Sequence, residues 1–309
     1  MGQVRRALAL SVDVEDWPQS SWDRSLPLSD YCADDARRFL DLLAEFPGAR
    51  GTFFILGKFA EKHPGVVRAI AQSGHEIGSH GYGHVELFRL GRKGFAADVK
   101  RSTEVISDAS GARPVGYRAS DFSVVGETLW ALEELAEQGY RYDTSIFPIA
   151  RARYGIANWP RGAAHVSLLS GTTILEVPLA TLELFGQRVP VGGGGYARLM
   201  PGPILAWALR KASGQLNVPP VFYCHPYELN WDEFDKIDLK IPRTVRVHQT
   251  MGRRKAGPRL RRILRDFACI SISEAIARVT NLPTIEYTPY VLKPGDVRRP
   301  CTFRGARPV

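Results

Sequence analysis

The sequence predicts an α/β fold, a distorted barrel of about seven parallel β-strands, each followed by an α-helix. Short apolar runs take turns along the chain with longer amphipathic stretches, which is the order of βα units. The apolar runs are continuous rather than interspersed with polar residues, as expected for strands buried on both faces. A chain of 309 residues, 44% of them hydrophobic, can supply the core of such a barrel.

The predicted strands are the apolar runs 7–14, 51–57, 75–81, 115–119, 140–147, 173–179, 221–226 and 268–273. The first helix is predicted to start at the capping residue Ser29 and to end at Pro47-Gly48. Further amphipathic helices are predicted over 58–73, 94–110, 125–138 and 203–213. We expect one domain over residues 1–282. The stretch 283–309 is rich in Pro and Arg and lacks periodicity, which predicts an extended C-terminal tail.

The net charge of +9 is concentrated between residues 243 and 265, where nine Lys and Arg residues occur without an acid. Such a stretch is typical of a surface that binds a sugar phosphate or makes peripheral contact with an anionic membrane, but also of a solvated helix face. No nucleic-acid-binding motif accompanies it, and we expect no nucleic-acid partner.

We expect a cytoplasmic protein without a transmembrane segment. No apolar run reaches the roughly 18 residues of a membrane-spanning helix. Asp13 and Glu15 interrupt the first apolar run, and no cleavage site for a signal peptide follows it. The four cysteines are widely separated, which argues against a disulfide framework or a cysteine zinc site and fits a reducing compartment.

Charged and imidazole side chains follow several predicted strands at their carboxyl ends. Because the carboxyl ends of the strands of a barrel meet at one rim, we expect these groups to converge there. The groups are Asp13, Glu15 and Asp16 after the first strand, His80 after the third, Arg118 after the fourth, Asp143 near the end of the fifth and His225 after the seventh.

The segment GHEIGSHGYGH, residues 74–84, is either a metal site or a glycine-rich turn that carries histidines. His80 and His84 are four residues apart, which on a helical turn places both imidazoles on one face. Two histidines and a carboxylate form a common open metal site, and the segment DVED, residues 13–16, can supply the carboxylate and a separate base. Without soft ligands, we expect Zn²⁺ first, and otherwise Co²⁺, Ni²⁺ or Fe²⁺.

Six segments, in this order, resemble the NodB-type polysaccharide deacetylases of carbohydrate esterase family 4: SVDVEDW, GTFFILGKFAEKHPGVVRAIAQSGHEIGSHGYGH, GYRASDFS, GYRYDTSIFP, PVGGGGYARLMP and FYCHPYEL. The resemblance covers roughly residues 7 to 270 and is nearest to the subgroup linked to exosortase and exopolysaccharide loci. It implies the NodB homology fold, with a subgroup-specific part over about 180–282. It also implies a metal-dependent hydrolase that removes acetyl groups from N-acetylated sugars.

The resemblance gives the acidic cluster and the two histidines distinct roles. Asp13 matches the general base. The metal-binding acid of the family follows the base directly or two residues later, which points to Glu15 and leaves Asp16 as the alternative ligand. His80 and His84 match the two metal-binding histidines.

The resemblance also assigns the remaining catalytic groups. Arg118 matches the arginine that orients the base. His225 matches the histidine that acts as general acid, and Asp143 matches the aspartate that is paired with this histidine. Ser120 stands where the family usually has proline, so the backbone there is less restrained and the substrate groove is expected to differ.

Substrate contacts are expected from residues next to these motifs. Gly192–Gly195 is either a substrate-facing loop or a flexible turn, since glycines permit positive φ and close approach of the backbone. Aromatic side chains near the motifs either stack on sugar rings or belong to the wall and core. The predicted substrate-binding residues are Tyr82, Phe122, Gly194, Gly195, Tyr196, Tyr227 and Glu228.

The function expected from the sequence is N-deacetylation of an amino sugar in a glycan or in an activated or lipid-linked sugar. The basic stretch 243–265 favours a phosphate-bearing carrier. Two alternatives remain open. One is a related C–N hydrolase on the same fold, a deformylase or a cyclic amidase. The other is a non-catalytic member that only binds glycan.

Overall fold

The computed structural model describes residues 5–151, 153–236 and 240–286. The strands are β1 (Ala7–Val14), β2 (Thr52–Ile55), β3 (Glu76–Ser79), β4 (Gly116–Tyr117), β5 (Tyr142–Asp143), β6 (Ala164–Ser167), β7 (Thr173–Glu176), β8 (Thr181–Leu184), β9 (Gln187–Pro190), β10 (Val221–Cys224), β11 (Ala268–Ile270) and β12 (Thr284–Glu286). The helices are α1 (Tyr31–Ala44), α2 (Gly57–Lys62), α3 (Pro64–Gln72), α4 (Leu87–Ser110), α5 (Ala131–Glu137), α6 (Gly194–Leu199), α7 (Gly202–Ser213), α8 (Arg243–Thr250), α9 (Ala256–Asp266) and α10 (Ile272–Ala277).

One large, mostly parallel sheet organises the chain. Its strand order is β10-β1-β2-β3-β4-β5-β7-β6-β12, and β11 pairs with the start of β1. The pairing of β6 with β7 is antiparallel, and β8 and β9 form a separate hairpin. The predicted α/β fold with a largely parallel sheet is confirmed.

Within the described ranges, no continuous ladder of paired strands closes the sheet into a ring. Instead, the segment between β7 and α6 lies along β10: Ala180 N donates to Val221 O at 3.2 Å, and Tyr223 N donates to Gly192 O at 2.7 Å.

The strands are buried on both faces, which explains their continuous apolar sequences. In β1, Leu8, Leu10 and Val12 pack in the cluster that contains Phe39 and Leu209 of the surrounding helices α1 and α7. Ala9 packs in a second cluster together with inward residues of other strands. Because side chains alternate along a strand, Asp13 lies on the same face as Ala9, which is the inner face of the barrel.

The structure shortens most predicted strands and adds others. The prediction for 7–14 coincides with β1, whereas β4 and β5 keep two residues each of the runs 115–119 and 140–147. The basic stretch forms most of α8 and α9. The predicted tail 283–309 begins with β12, which pairs in parallel with β6, and residues 287–309 lie outside the described residues. No helix in the described part of the chain is long and apolar enough to cross a membrane.

Candidate active site

Most of the predicted polar residues meet in one cleft at the carboxyl ends of the parallel strands. Asp13 lies near the carboxyl end of β1, and His80, Arg118 and His225 follow β3, β4 and β10 directly. The cleft has a volume of about 170 Å³. Its lining includes Asp13, Glu15, His80, His84 and His225.

Glu15, His80 and His84 form a cluster that could hold a metal ion, because their ligand atoms all lie within 4.8 Å of one another. Glu15 Oε2 lies 2.7 Å from Nε2 of His84 and 3.5 Å from Nε2 of His80. Nδ1 of His80 donates to the carbonyl oxygen of Arg118 at 2.8 Å, so Nε2 of this ring stays available as a ligand. All three side chains are buried.

The electrostatics of this cluster favour a bound cation. Burial alone would raise the pKa of Glu15, but the charge of His84 and hydrogen bonds from His80 and His84 bring it well below its ordinary value. Burial lowers the pKa of His84, and the Glu15 carboxylate outweighs this and raises it to about 8. Without a bound metal, protonated His84 therefore supplies the positive charge that balances the Glu15 carboxylate.

His80 and His84 lie at the end of a strand and in the loop after it, and not on a helical turn. His80 directly follows β3, and His84 lies in the following loop with a left-handed backbone (φ 57°). Gly81, also left-handed with φ 75°, leads the chain into this loop. The loop folds back on itself, so both imidazoles reach Glu15 without helical spacing.

Asp16, the alternative metal ligand, is occupied elsewhere. Its carboxylate accepts hydrogen bonds from the backbone N of Ser29 at 2.6 Å and from its hydroxyl at 2.9 Å. These bonds tie the strand β1 to the start of α1, whose N-cap residue is Asp30 rather than the predicted Ser29. The geometry therefore assigns the carboxylate of the metal cluster to Glu15.

Arg118 holds Asp13 in place. Arg118 is fully buried, and its Nη1 donates to Asp13 Oδ1 at 2.7 Å and to the hydroxyl of Ser11 at 2.8 Å. Its Nε donates to Thr144 O at 3.2 Å, and its guanidinium lies 4.3 Å from the centre of the Phe54 ring. The predicted pairing of Arg118 with Asp13 is thus present.

The partner of His225 is Glu228 and not the predicted Asp143. His225 Nδ1 lies 3.0 Å from Glu228 Oε1, and the imidazole stacks on Tyr227 with ring centres 4.7 Å apart. His225 Nε2 faces Glu15, with 3.6 Å between Nε2 and Oε1. Burial lowers the pKa of His225, but the hydrogen bond with Glu228 and the charges of Glu15 and Glu228 raise it above its ordinary value.

Asp143 forms its hydrogen bonds with residues other than His225. It accepts hydrogen bonds from the hydroxyl of Ser145 at 2.6 Å and from its backbone N at 3.1 Å. Glu176, on the neighbouring strand β7, contacts it, and burial raises the pKa of both acids. Because Ser145 and Glu176 use its carboxylate, Asp143 does not hold the imidazole of His225.

The segment that contains His80, His84 and Arg118 matches a known family. Residues 22–142 match the polysaccharide deacetylase family model. The following residues, 144–277, match a domain of unknown function (DUF3473) and contain His225 and Glu228. Asp13 and Glu15 precede the polysaccharide deacetylase match.

Two relatives illustrate the similarity. The chain is 32% identical over 98 residues to the peptidoglycan-N-acetylglucosamine deacetylase of Bacillus cereus, and the match covers 31% of this chain and 35% of that protein. It is 32% identical over 97 residues to the peptidoglycan deacetylase of Helicobacter pylori, with 31% of each chain covered. The chain thus spans about a third of the length of these curated relatives.

Solved structures support the fold over most of the chain. A protein of Mycobacterium smegmatis assigned as a polysaccharide deacetylase has a TM-score of 0.56 at 19% identity, with 93% of this chain and 96% of that chain covered. Puue allantoinase has a TM-score of 0.52 at 15% identity, with 82% of this chain and 86% of that chain covered.

The walls of the cleft are formed by residues that the sequence predicted only in part. Phe122 and Tyr227 line it as predicted, and the Tyr227 hydroxyl lies 3.5 Å from Glu15 Oε1. Tyr82 points away, because its hydroxyl donates to Glu61 and its ring lies under the guanidinium of Arg101. Wall residues without a sequence signal are Ser21, Asp121, Arg153, Tyr154 and Tyr223.

The glycine segment 192–195 packs against β10. Gly193 forms a parallel bridge with Tyr223, and a Cβ atom on Gly194 would lie 2.0 Å from the Tyr223 hydroxyl. Tyr196 lies in the first turn of α6, and its hydroxyl forms a hydrogen bond of 3.0 Å with the hydroxyl of the wall residue Tyr154. These glycines therefore let α6 approach the wall of the cleft, while Gly195 meets only the end of the Arg198 side chain.

Ser120, at the position where the resemblance led us to expect proline, lies in a buried turn next to His80. Its hydroxyl lies 3.4 Å from the carbonyl oxygen of His80. The next two residues, Asp121 and Phe122, have left-handed backbones with φ of 53° and 51°. This turn brings both side chains to the mouth of the cleft, where Asp121 Oδ2 pairs with Arg24 at 2.7 Å.

Proposed function

We propose that this protein is a metal-dependent hydrolase that removes the N-acetyl group from an amino sugar of a glycan. The observation that carries the proposal is the convergence of three functions in one cleft. The ligand cluster Glu15, His80 and His84 adjoins the Arg118-bound Asp13 and the Glu228-bound His225. The match of residues 144–277 to DUF3473 supports membership in the exopolysaccharide-associated subgroup.

A divalent transition ion held by Glu15, His80 and His84 would polarise the amide carbonyl and activate water for attack. Zn²⁺ is the first choice for two imidazoles and a carboxylate, with Co²⁺, Ni²⁺ and Fe²⁺ as alternatives. The donor set fits this role because both Nε2 atoms face one carboxylate in a buried site, while Nδ1 of His80 is already bonded.

The residues of the chain then divide the proton transfers. Asp13, aimed and charge-balanced by Arg118, removes the proton from the attacking water. His225, whose Nδ1 is held by Glu228, presents Nε2 to the cleft and donates a proton to the leaving nitrogen. The C–N bond breaks, and acetate and a free amino sugar leave.

A related C–N hydrolase that opens a cyclic amide is the second candidate, since Puue allantoinase has a similar fold. The two functions require the same groups in the cleft. They are separated by a substrate panel that contains N-acetylglucosamine oligomers, allantoin and N-formyl compounds.

Metal content and acetate release from N-acetylglucosamine oligomers, measured together, test the proposal. We expect about one equivalent of transition metal in the wild type and its loss, with activity, in Glu15→Ala and His80→Ala. Asp13→Asn should retain the metal and lose activity. The exposed residue His248 on α8 provides a matched control, and His248→Ala should keep both.

A protein that binds no metal even after addition of Zn²⁺ or Co²⁺ would contradict the hydrolytic mechanism. Glycan binding without metal would then identify a non-catalytic binding protein. Release of product only from allantoin or an N-formyl compound would replace deacetylation by the second candidate.

A further inference from the structure

A basic groove of about 590 Å³ adjoins a small cavity that is lined by His225 and Glu228, and the two share Arg198 and Arg259 as lining residues. Arg254, Lys255 and Arg259 come to the groove from the turn between α8 and α9 and from the start of α9, and Arg198 comes from α6. Asp235 is the acid that lines it, and this acid is paired with Arg246 at 2.6 Å. Within the described ranges, the groove therefore has a strong excess of positive charge.

The groove also has an exposed aromatic surface. Trp231 is 47% exposed and lines the groove, and the guanidinium of Arg254 lies 4.8 Å from the centre of its ring. This cation–π contact orients Arg254 along the indole. An aromatic face with adjoining cations is suited to a sugar ring that carries a negative charge.

Only some cations of the basic stretch 243–265 line the groove. Arg253 is fully buried and bonded to Glu233 at 2.6 Å, and Arg262 faces Asp266 at 3.6 Å. Arg254 and Lys255 are exposed, and no ion pair occupies the Lys255 ammonium in the part of the chain that the structure describes. The fold thus directs a subset of these cations to one place.

Arg198 connects the groove to the catalytic residues. It lines the groove, and its Nε lies 3.8 Å from Oε1 of Glu228, the carboxylate that holds His225. A much smaller, largely apolar cavity of about 30 Å³ is lined by His225 and Glu228 and also by Arg198 and Arg259. Arg198 therefore lies between the groove and the carboxylate that holds the proposed general acid.

We propose that this groove binds an oxyanion of the substrate, a phosphate or a uronic-acid carboxylate, beside the sugar that is deacetylated. The proposal rests on the proposed function, because it names the substrate class of the same site. It makes the substrate an anionic N-acetylated saccharide rather than a neutral one. The sugar next to the reacting one stacks on Trp231, and its oxyanion binds Arg254, Lys255 and Arg198.

Calorimetric titration tests the groove without turnover. The probes are inorganic pyrophosphate, a hyaluronan tetrasaccharide as the uronate source, and chitotetraose as the neutral N-acetylated saccharide. The groove variant is Arg254→Gln/Lys255→Gln. The matched control is Arg243→Gln/Arg265→Gln, which removes the same charge from exposed positions of the same stretch that do not line the groove.

We expect the wild type to bind an anionic probe more tightly than chitotetraose. The groove variant should weaken that binding about tenfold or more, because hydrogen bonds to charged groups are lost. The control variant should change it by less than about twofold. Binding of pyrophosphate alone would identify phosphate as the oxyanion, and binding of the hyaluronan tetrasaccharide alone would identify carboxylate.

Phosphatidylglycerol vesicles are titrated in the same way as a membrane probe. Three results would overturn the proposal: no binding of either anionic probe, an equal loss in the groove and control variants, or binding only to these vesicles. The last result would assign the basic residues to a membrane surface. Failure of the proposed function is recognised separately, as retained binding of the probes without acetate release from any N-acetylated saccharide.

Discussion

The imidazole of His225 is held by a residue of its own turn. Its Nδ1 lies 3.0 Å from Oε1 of Glu228, three positions later in the chain, and both side chains are largely buried. A carboxylate on Nδ1 fixes the tautomer of the ring and directs Nε2 to the opposite side, here toward Glu15. Glu228 is therefore a positioning residue for the proposed general acid rather than a substrate contact.

Replacement of Glu228 by glutamine should slow acetate release. We expect kcat to fall about tenfold to a hundredfold. The neutral amide orients the imidazole of His225 less firmly and stabilises its protonated form less than the carboxylate does. KM should change little, since Glu228 is not among the residues that line the cleft. Steady-state kinetics on an N-acetylglucosamine oligomer measure both constants.

Asp143→Asn provides the comparison. Asp143 is bonded to Ser145 and contacts Glu176, so its amide variant should keep a larger share of kcat than Glu228→Gln. A loss of kcat in Asp143→Asn that equals or exceeds that of Glu228→Gln, at unchanged melting temperature, would contradict the assignment of Glu228.

The sequence predicted the site residues whose positions depend on a single strand. The alternation along β1 places Asp13 inside the barrel, and the strand ends bring His80 and Arg118 to the same rim. The partner of His225 could not be predicted, because the competing carboxylates lie on different elements. Only the turn after β10 brings Glu228 to Nδ1, whereas Ser145 and Glu176 occupy Asp143.

Two further features of the site depend on the loop after β3. His80 and His84 come together because positive φ angles at Gly81 and His84 fold this loop back. Tyr82 lies between these histidines in sequence and was predicted to contact substrate. The loop turns its side chain outward to Glu61 and Arg101.

The buried pair of Arg118 and Asp13 should be essential for stability as well as for catalysis. Arg118→Met leaves the Asp13 carboxylate buried without its partner at 2.7 Å. We expect the free energy of unfolding to fall by about 3–5 kcal/mol, as for other buried pairs that lose one member. Urea unfolding followed by circular dichroism measures the change.

The double variant Asp13→Asn/Arg118→Met separates the unpaired charge from lost packing. Because the remaining partner is then neutral, it should be more stable than Arg118→Met alone. A double variant that is no more stable than Arg118→Met would show that the loss comes from the contacts of Arg118 with Ser11 and Thr144 instead.

Gly194 should tolerate no side chain. Its φ is +58°, and a Cβ atom would lie 2.0 Å from the Tyr223 hydroxyl and 2.5 Å from the ring carbon that bears it. Gly194→Ala should therefore lower stability by more than the roughly 1 kcal/mol expected from the backbone alone. It should also displace Tyr223 in the wall of the cleft and raise KM.

The neighbouring glycine is the control. Gly195 has no positive φ, and its nearest contact would be the Arg198 guanidinium at 3.8 Å, so Gly195→Ala should be neutral or slightly stabilising. Equal melting temperatures for Gly194→Ala and the wild type would mean that the segment 192–195 is a flexible turn.

Stability should decrease as pH rises toward 7 because of Asp35. Burial raises the pKa of Asp35 to about 7 from an ordinary value of 3.8, despite Arg38 at 3.3 Å and the charge of Arg253 nearby. Between these two pKa values the folded state holds a proton that the unfolded chain has lost. The free energy of unfolding therefore falls as pH rises through this window, by at most about 1.4 kcal/mol per pH unit for one proton.

Asp35→Asn should reduce the slope of urea-unfolding free energy between pH 5 and 7, whereas Asp34→Asn, at an exposed position of the same helix, should keep it. A slope that Asp35→Asn leaves unchanged would place the titrating proton on another buried acid.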